Sequence, residues 1–133
     1  MTVELYWMTL VVLMTALFWV PYVLDRCVVH GILGALGGTP PESNGPQSVW
    51  AQRAIRAHQN AVENLAIFVP AVLTADVLHI STPATRIAVV IYFFARLAHY
   101  FVYTSGIPVA RTLTFTAGWL AQITILLSIL GWI

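Results

Sequence analysis

Apolar residues fall along this chain in four long blocks, separated by short polar or glycine-rich stretches. The first block, residues 5–24, and the last, residues 113–133, contain no charged residue. Two apolar blocks that contain a few charged residues lie between them, at about residues 61–80 and 84–103. A hydrocarbon core of about 30 Å is crossed by about 20 residues of helix. The pattern therefore predicts an all-α integral membrane protein in which residues 1–133 form one four-helix bundle.

The boundaries of the spans carry their own signals. Residues 31–48 are rich in glycine and proline, which predicts a connector rather than a regular helix. The helix of the second span is expected to begin near Gln47 or Ser48, before the chain reaches the hydrocarbon. Ser81 or Thr82 is expected to cap the helix of the third span, because a hydroxyl there accepts from a free backbone N–H and the proline that follows suits a first turn.

Composition agrees with a bilayer and excludes several functions. Hydrophobic residues make up 59% of the 133 and charged residues only 8%, against about 25% in soluble domains. A formal net charge of +1 offers no basic surface for nucleic acid. The single Cys27 excludes an intrachain disulfide and a thiolate zinc cluster, and the four scattered histidines indicate no metal site.

The basic residues, all arginine, predict the orientation in the membrane. Arg26, Arg53 and Arg56 precede the second span and Arg111 precedes the fourth, whereas only Arg86 marks the other side. Loops rich in arginine stay in the cytoplasm. We therefore expect the long connector to be cytoplasmic and both termini to be outside, in the inner membrane if the protein is bacterial.

Polar side chains recur at helical spacing near the predicted cytoplasmic ends of three spans, where insertion of an ionised group costs about 2.5–3.5 kcal/mol. They are Arg53, Arg56, Asn60 and Glu63 before and in the second span, Arg96, His99 and Tyr103 in the third, and Arg111 and Thr112 at the start of the fourth. Spacings of three and four residues place each set on one helix face.

Two interpretations of this cluster are open. In the structural one, Glu63 neutralises Arg96 inside the bundle, while Asn60 and His99 form hydrogen bonds between helices. In the functional one, four arginines against one glutamate leave a surplus of guanidinium that binds an anionic ligand. Such a site, open to cytoplasm and lipid, suits a small zwitterionic peptide with excess negative charge that meets a lipophilic partner.

Three segments of the chain resemble a known family. "RAIRAHQNAVEN", "ARLAHYFVY" and "PVARTLTF" are similar to the membrane-associated proteins in eicosanoid and glutathione metabolism, over roughly residues 50–120. The resemblance implies a homotrimer of four-helix protomers, with glutathione held between neighbouring subunits near the cytoplasmic face. It also implies a lipophilic second substrate that arrives from the bilayer.

The resemblance assigns roles by position. The glutathione shell would be Arg53, Arg56, Asn60, Glu63, His99 and Tyr103, and Arg96 is counted with it. Glu63 would meet the amino group of the tripeptide and the arginines its carboxylates. Arg111 would lie beside the sulfur, because a nearby cation favours the nucleophilic thiolate, and the hydroxyl of Thr112 would donate to the sulfur. Arg26, which follows the first span on the same helix, is a further candidate.

The chain also departs from the family pattern. Phe115 stands where some prostaglandin-forming members carry tyrosine, Gln59 stands where an arginine can occur, and the connection before the fourth span is a residue shorter. These departures favour glutathione conjugation or peroxide reduction over prostaglandin isomerisation. A non-enzymatic protein that presents lipids to other enzymes is the alternative, and a small transporter subunit is a weaker one because the four spans show no internal repeat.

Overall fold

The computed structural model describes residues 1–37 and 45–133. Within them the chain forms five helices and no strand: α1 (Val3–Leu17), α2 (Trp19–Ala35), α3 (Val49–Val77), α4 (Pro83–Ser105) and α5 (Pro108–Ile129). α1 and α2 together make one apolar stretch, and four stretches are long and apolar enough to cross a membrane. The predicted all-α membrane fold with four long helical spans is therefore confirmed.

The first span contains a break that hydropathy does not reveal. α1 ends and α2 begins on either side of Phe18. Pro21 has no N–H to donate to the carbonyl of Leu17, four residues earlier, so the helix cannot continue regularly there. The hydroxyl of buried Tyr100 donates to the carbonyl of Phe18 at 2.9 Å. This hydrogen bond joins the break in the first span to α4.

The helix before the predicted connector is longer than the sequence predicted, and the helix after it begins where expected. α2 runs to Ala35 and so enters the segment predicted as a connector, but its backbone leaves the helical region at Gly31, with φ 73° and ψ 175°. Residues 38–44 of that segment lie outside the described residues. α3 begins after Ser48, as predicted. The hydroxyl of Ser48 donates to the buried carboxylate of Asp25 at 2.6 Å, which ties the start of α3 to α2.

The ends of α4 and the start of α5 follow local capping rules. Thr82 caps α4 as predicted, in a capping box with Thr85. At the other end, Gly106 is the C-cap residue and adopts a left-handed conformation with φ +77°, which glycine favours, so the helix ends there. α5 then starts at Pro108, only two residues later. The short connection makes α4 and α5 antiparallel neighbours.

α3 lies between the other helices, against α1, α2, α4 and α5. Buried alanines at helical spacing let its neighbours approach closely; they are Ala51, Ala54, Ala57 and Ala61. Deeper in the bundle, Phe68 of α3 stacks on Tyr92 of α4 with ring centroids 3.8 Å apart. This packing holds α3 and α4 in a defined register.

A second polar contact ties the opposite end of the bundle. Glu4, near the start of α1, is only 3% exposed. Its carboxylate accepts hydrogen bonds from the hydroxyl of Thr85 at 2.6 Å and from the hydroxyl of Ser81 at 3.3 Å. A buried carboxylate is tolerated when hydroxyls satisfy it, and here the arrangement joins α1 to α4.

Candidate functional site

The tight connection between α4 and α5 assembles the candidate site. His99 and Tyr103 lie one helical turn apart in the last turns of α4, and Arg111 and Thr112 lie in the first turns of α5. Because α5 doubles back directly after Gly106, the end of one helix faces the start of the other. The structure thus brings side chains of the predicted third and fourth spans to one level of the bundle.

These helices and α3 line an open cavity of about 190 Å³. Its lining consists of Asn60, His99, Tyr103, Arg111, Thr112 and Phe115. Five of the nine site residues proposed from the sequence therefore share one cavity. Phe115, singled out as a departure from the family pattern, lies beside them and supplies an apolar wall.

Arg111 and Tyr103 contact each other in the lining of this cavity. The guanidinium carbon of Arg111 lies 4.9 Å from the centroid of the Tyr103 ring, a cation–π contact. Arg111 is otherwise exposed, so its N–H donors remain available to a ligand. The hydroxyl of Thr112 donates to the carbonyl of Pro108 at 3.2 Å. Its oxygen lone pairs are free, and it can donate to a ligand only by turning away from that carbonyl.

His99 is fixed in one tautomer by its surroundings. Its Nδ1 lies 3.1 Å from the backbone carbonyl of Arg111, and a carbonyl can only accept, so Nδ1 carries the hydrogen. In the neutral imidazole, Nε2 is then an acceptor. This atom is buried and has no hydrogen-bond partner within the described ranges. The ring of His99 therefore lines the cavity with its tautomer fixed, and its acceptor nitrogen is buried.

Arg96 does not line the cavity but lies behind it. The side chain is 2% exposed, and its NH2 nitrogen donates to Oδ1 of Asn60 at 2.6 Å. A Cβ at position 118 would lie 3.2 Å from the Cδ of Arg96, so Gly118 leaves room for the arginine stem. The structural interpretation paired Arg96 with Glu63; the structure pairs it with Asn60 instead.

The remaining candidates lie apart from this cavity. The guanidinium of Arg53 lies against Gly106, at the end of α4, and Arg56 is exposed. Glu63 lines a different and wider cavity of about 590 Å³. The nitrogen Nε of Arg26 donates to the side chain of Gln47 at 3.3 Å.

Several polar residues in the bundle were missed by sequence reasoning. The wider cavity that contains Glu63 is also lined by Tyr22 and His58, whose hydroxyl and Nδ1 lie 2.7 Å apart. Gln122, 2% exposed within the apolar fourth span, donates to the carbonyl of Asn64 at 3.0 Å. A polar side chain inside a membrane span is in itself a signal of a specific contact, and that signal was available for Gln122.

No metal site emerges from the described part of the chain. No three side chains among its histidine, cysteine, aspartate and glutamate residues come close enough together to hold a metal ion. The cavity at the α4–α5 junction offers arginine, amide and hydroxyl donors instead. Such a donor set suits an anion.

Fold and site together define a polytopic α-helical membrane protein with an arginine-bearing cavity near the ends of three spans. The family model described as the MAPEG family matches residues 5–131. The chain therefore belongs to the MAPEG family, whose members include glutathione transferases and related enzymes of eicosanoid and glutathione metabolism. No curated protein and no solved structure matches the chain.

Proposed function

We propose that this protein is a glutathione-dependent membrane transferase or peroxidase that acts on lipophilic electrophiles or hydroperoxides. The observation that carries the proposal is the shared cavity of Asn60, His99, Tyr103, Arg111 and Thr112. Glutathione, when bound, supplies a thiol with an ordinary pKa of about 8.5, whose deprotonated form is the nucleophile. Arg111, at the N-terminal end of α5, provides a cation and a helix dipole that favour that form.

The donor set fits an anionic tripeptide. Two carboxylates and two amide carbonyls of glutathione need donors, which the arginines and Asn60 provide. Its ammonium group needs an acceptor, which the exposed carboxylate of Glu63 provides. Because Glu63 and Arg111 line different cavities, a ligand that meets both has to extend over the surface of α3 between them.

One protomer does not complete such a site. The cavity of about 190 Å³ is smaller than the ~300–1,000 Å³ typical of small-molecule sites. α3 also presents an exposed stripe in which steps of four and three residues alternate; it consists of Gln52, Arg56, Gln59, Glu63, Ala66, Pro70, Leu73 and Val77. This seam supports a second copy of the chain as its occupant, in a homotrimer. Arg56 and Glu63 belong to the stripe, so in the proposed trimer they would contact a ligand bound between subunits.

The proposed orientation has the site facing the cytoplasm, and the second substrate enters from the bilayer with its apolar part still in lipid. The single Cys27, half-buried in α2, provides a test. In intact cells a membrane-impermeant maleimide should leave Cys27 unlabelled and should label it in inverted vesicles. As a control, Ser81→Cys in a Cys27→Ser background should give the opposite pattern. Labelling of Cys27 from outside would overturn the orientation.

Calorimetric titration of the purified oligomer with glutathione tests the function. We expect saturable heat and thermal stabilisation, both reduced in Arg111→Ala but unchanged in Arg86→Ala, whose arginine lies at the opposite end of the bundle. Assays with conjugation substrates and lipid hydroperoxides then separate transferase from peroxidase. Cross-linking in detergent should give trimers. Absence of both heat and stabilisation in the native protein would favour the alternative, a membrane protein that binds and presents lipids.

A further inference from the structure

The amide of Asn60 is held in a single orientation. Its Oδ1 accepts from the NH2 nitrogen of Arg96 at 2.6 Å and lies 3.4 Å from the amide nitrogen of Asn64. Asn64 also donates to the backbone carbonyl of Asn60 at 2.9 Å. A guanidinium has donors only, so an inverted amide would bring N–H groups against N–H groups. Arg96 therefore determines which end of the Asn60 amide faces it.

The consequence lies on the other side of the amide. Within residues 1–37 and 45–133, the side-chain hydrogen bonds of Asn60 all involve Oδ1, which leaves the N–H2 group for the cavity that Asn60 lines. Asn60 thus presents two donors to a ligand. An amide free to rotate would present its oxygen half of the time, which repels a carboxylate or carbonyl.

The burial of Arg96 is otherwise hard to account for. A guanidinium 2% exposed in a membrane bundle has a high desolvation cost, and in the described residues it has no hydrogen bond to a carboxylate. Its Nε is buried without a partner. The guanidinium carbon lies 5.9 Å from the centroid of the Phe115 ring, which compensates only in part. A neutral residue would fill the space beside Gly118 at a lower desolvation cost. The hydrogen bond to Asn60 therefore accounts for the presence of a charged residue here.

We propose that Arg96 is a positioning residue. It holds the amide of Asn60 so that the N–H2 group donates to a carboxylate or carbonyl oxygen of the bound ligand. The inference rests on the proposed function, since it deepens the description of the same site. It removes Arg96 from the set of direct ligand contacts implied by the family resemblance. The ligand-free experiment below separates its failure from that of the proposed function.

Asn60→Asp is the decisive variant. A carboxylate at this position keeps the contact with Arg96 and strengthens it, so the bundle should remain at least as stable, but the donors toward the cavity are lost. Loss of a hydrogen bond to a charged group corresponds to an affinity decrease of about tenfold to a hundredfold. We expect calorimetry to show that decrease for glutathione. Native affinity in Asn60→Asp would overturn the proposal.

A double-mutant cycle tests whether Arg96 acts through Asn60. Arg96→Met and Asn60→Ala should each weaken glutathione binding, and the double variant should bind no more weakly than Asn60→Ala alone. Arg96→Lys, which retains a charged donor, should recover part of the affinity. The pKa of the bound thiol should stay unchanged in these variants, because Arg111 controls it. Additive losses, or a raised thiol pKa in Arg96→Met, would show a direct electrostatic role instead.

A matched control separates positioning from packing. Gln122→Met removes another buried polar contact of the same bundle, the bonds to the carbonyl of Asn64 and the hydroxyl of Tyr92. It should lower the thermal midpoint without changing the affinity for glutathione. An equal loss of affinity in Gln122→Met and Arg96→Met would mean that general loosening explains both.

A ligand-free measurement decides the proposal even if the native protein fails to bind glutathione. In protein labelled with ¹⁵N-asparagine, the side-chain signals of Asn60 are identified by their loss in Asn60→Asp. We expect its N–H2 protons to exchange rapidly with water, because they face the cavity, and their shifts to change in Arg96→Met. Slow exchange and unchanged shifts in Arg96→Met would overturn the positioning role independently of any ligand.

Discussion

The guanidinium carbon of Arg111 lies 4.9 Å from the centroid of the Tyr103 ring, across the junction of α4 and α5. The contact holds the only exposed arginine of the cavity lining against the end of the preceding helix. It restrains the cation without using its N–H donors, which a salt bridge would occupy. The charge is therefore placed for a ligand.

Removal of the cation should affect the bound thiol. In Arg111→Ser we expect the pKa of bound glutathione to rise by about one unit or more, since a nearby cation stabilises the charged thiolate. Ultraviolet absorbance of the thiolate as a function of pH measures the shift. Oligomeric state should be native by size-exclusion chromatography, because the proposed seam between subunits lies on α3 and Arg111 lies on α5. An unchanged titration would remove Arg111 from its assigned role.

Tyr103 offers a test of the cation–π contact. Tyr103→Phe keeps the aromatic ring and removes only the hydroxyl, whereas Tyr103→Leu removes the ring. An exposed cation–π contact contributes about 0.5–1 kcal/mol, so we expect Tyr103→Leu to lower kcat/KM by about twofold to fivefold more than Tyr103→Phe. Steady-state kinetics with a soluble electrophile gives the values. Equal losses in the two variants would instead indicate that the hydroxyl matters.

A substitution at Gly106 tests whether Arg53 contributes to glutathione binding. An alanine Cβ at Gly106 would lie 2.6 Å from the guanidinium carbon of Arg53, whereas at Gly131 it would meet open space. Both glycines have positive φ, and alanine in that region costs about 1–2 kcal/mol. Both variants should therefore lose similar thermal stability.

Only Gly106→Ala displaces the end of the flexible Arg53 side chain. We therefore expect weaker glutathione binding in Gly106→Ala and native binding in Gly131→Ala, measured by calorimetry. Equal affinity in the two variants would place Arg53 outside the binding site.

The opposite end of the bundle should govern stability rather than binding. Thr85→Val removes the hydroxyl that donates to the buried carboxylate of Glu4 at 2.6 Å, and an unsatisfied buried group costs about 1–3 kcal/mol. We expect a lower thermal midpoint in detergent, with recovery in Thr85→Ser, which retains the hydroxyl. Glutathione affinity should be native in both. A Thr85→Val protein as stable as the native one would contradict this account of Glu4.

Local signals sufficed for much of the fold. Four apolar blocks predicted four spans because a hydrocarbon core sets a minimum length of apolar helix, whatever its neighbours are. The start of α3 after Ser48 and the cap of α4 at Thr82 were also predictable, because capping involves only residues within one turn. The break at Phe18 was not foreseen, since hydropathy stays high through it, although Pro21 carried the signal.

The grouping of the polar residues required the packed bundle. Helical spacing put Asn60 and Glu63 on one side of α3, yet the first lines the cavity with Arg111 and the second lines another. Two residues three positions apart point in directions that differ by about 60° around the helix axis. They can therefore meet different neighbours, and only the positions of α4 and α5 decide which. Likewise, Arg96 was predicted to contact the ligand. In the structure, Gly118 leaves room for the Arg96 side chain outside the cavity lining, and its guanidinium donates to Asn60. Residue spacing defines the faces of a helix, and the packing between helices defines what each face meets.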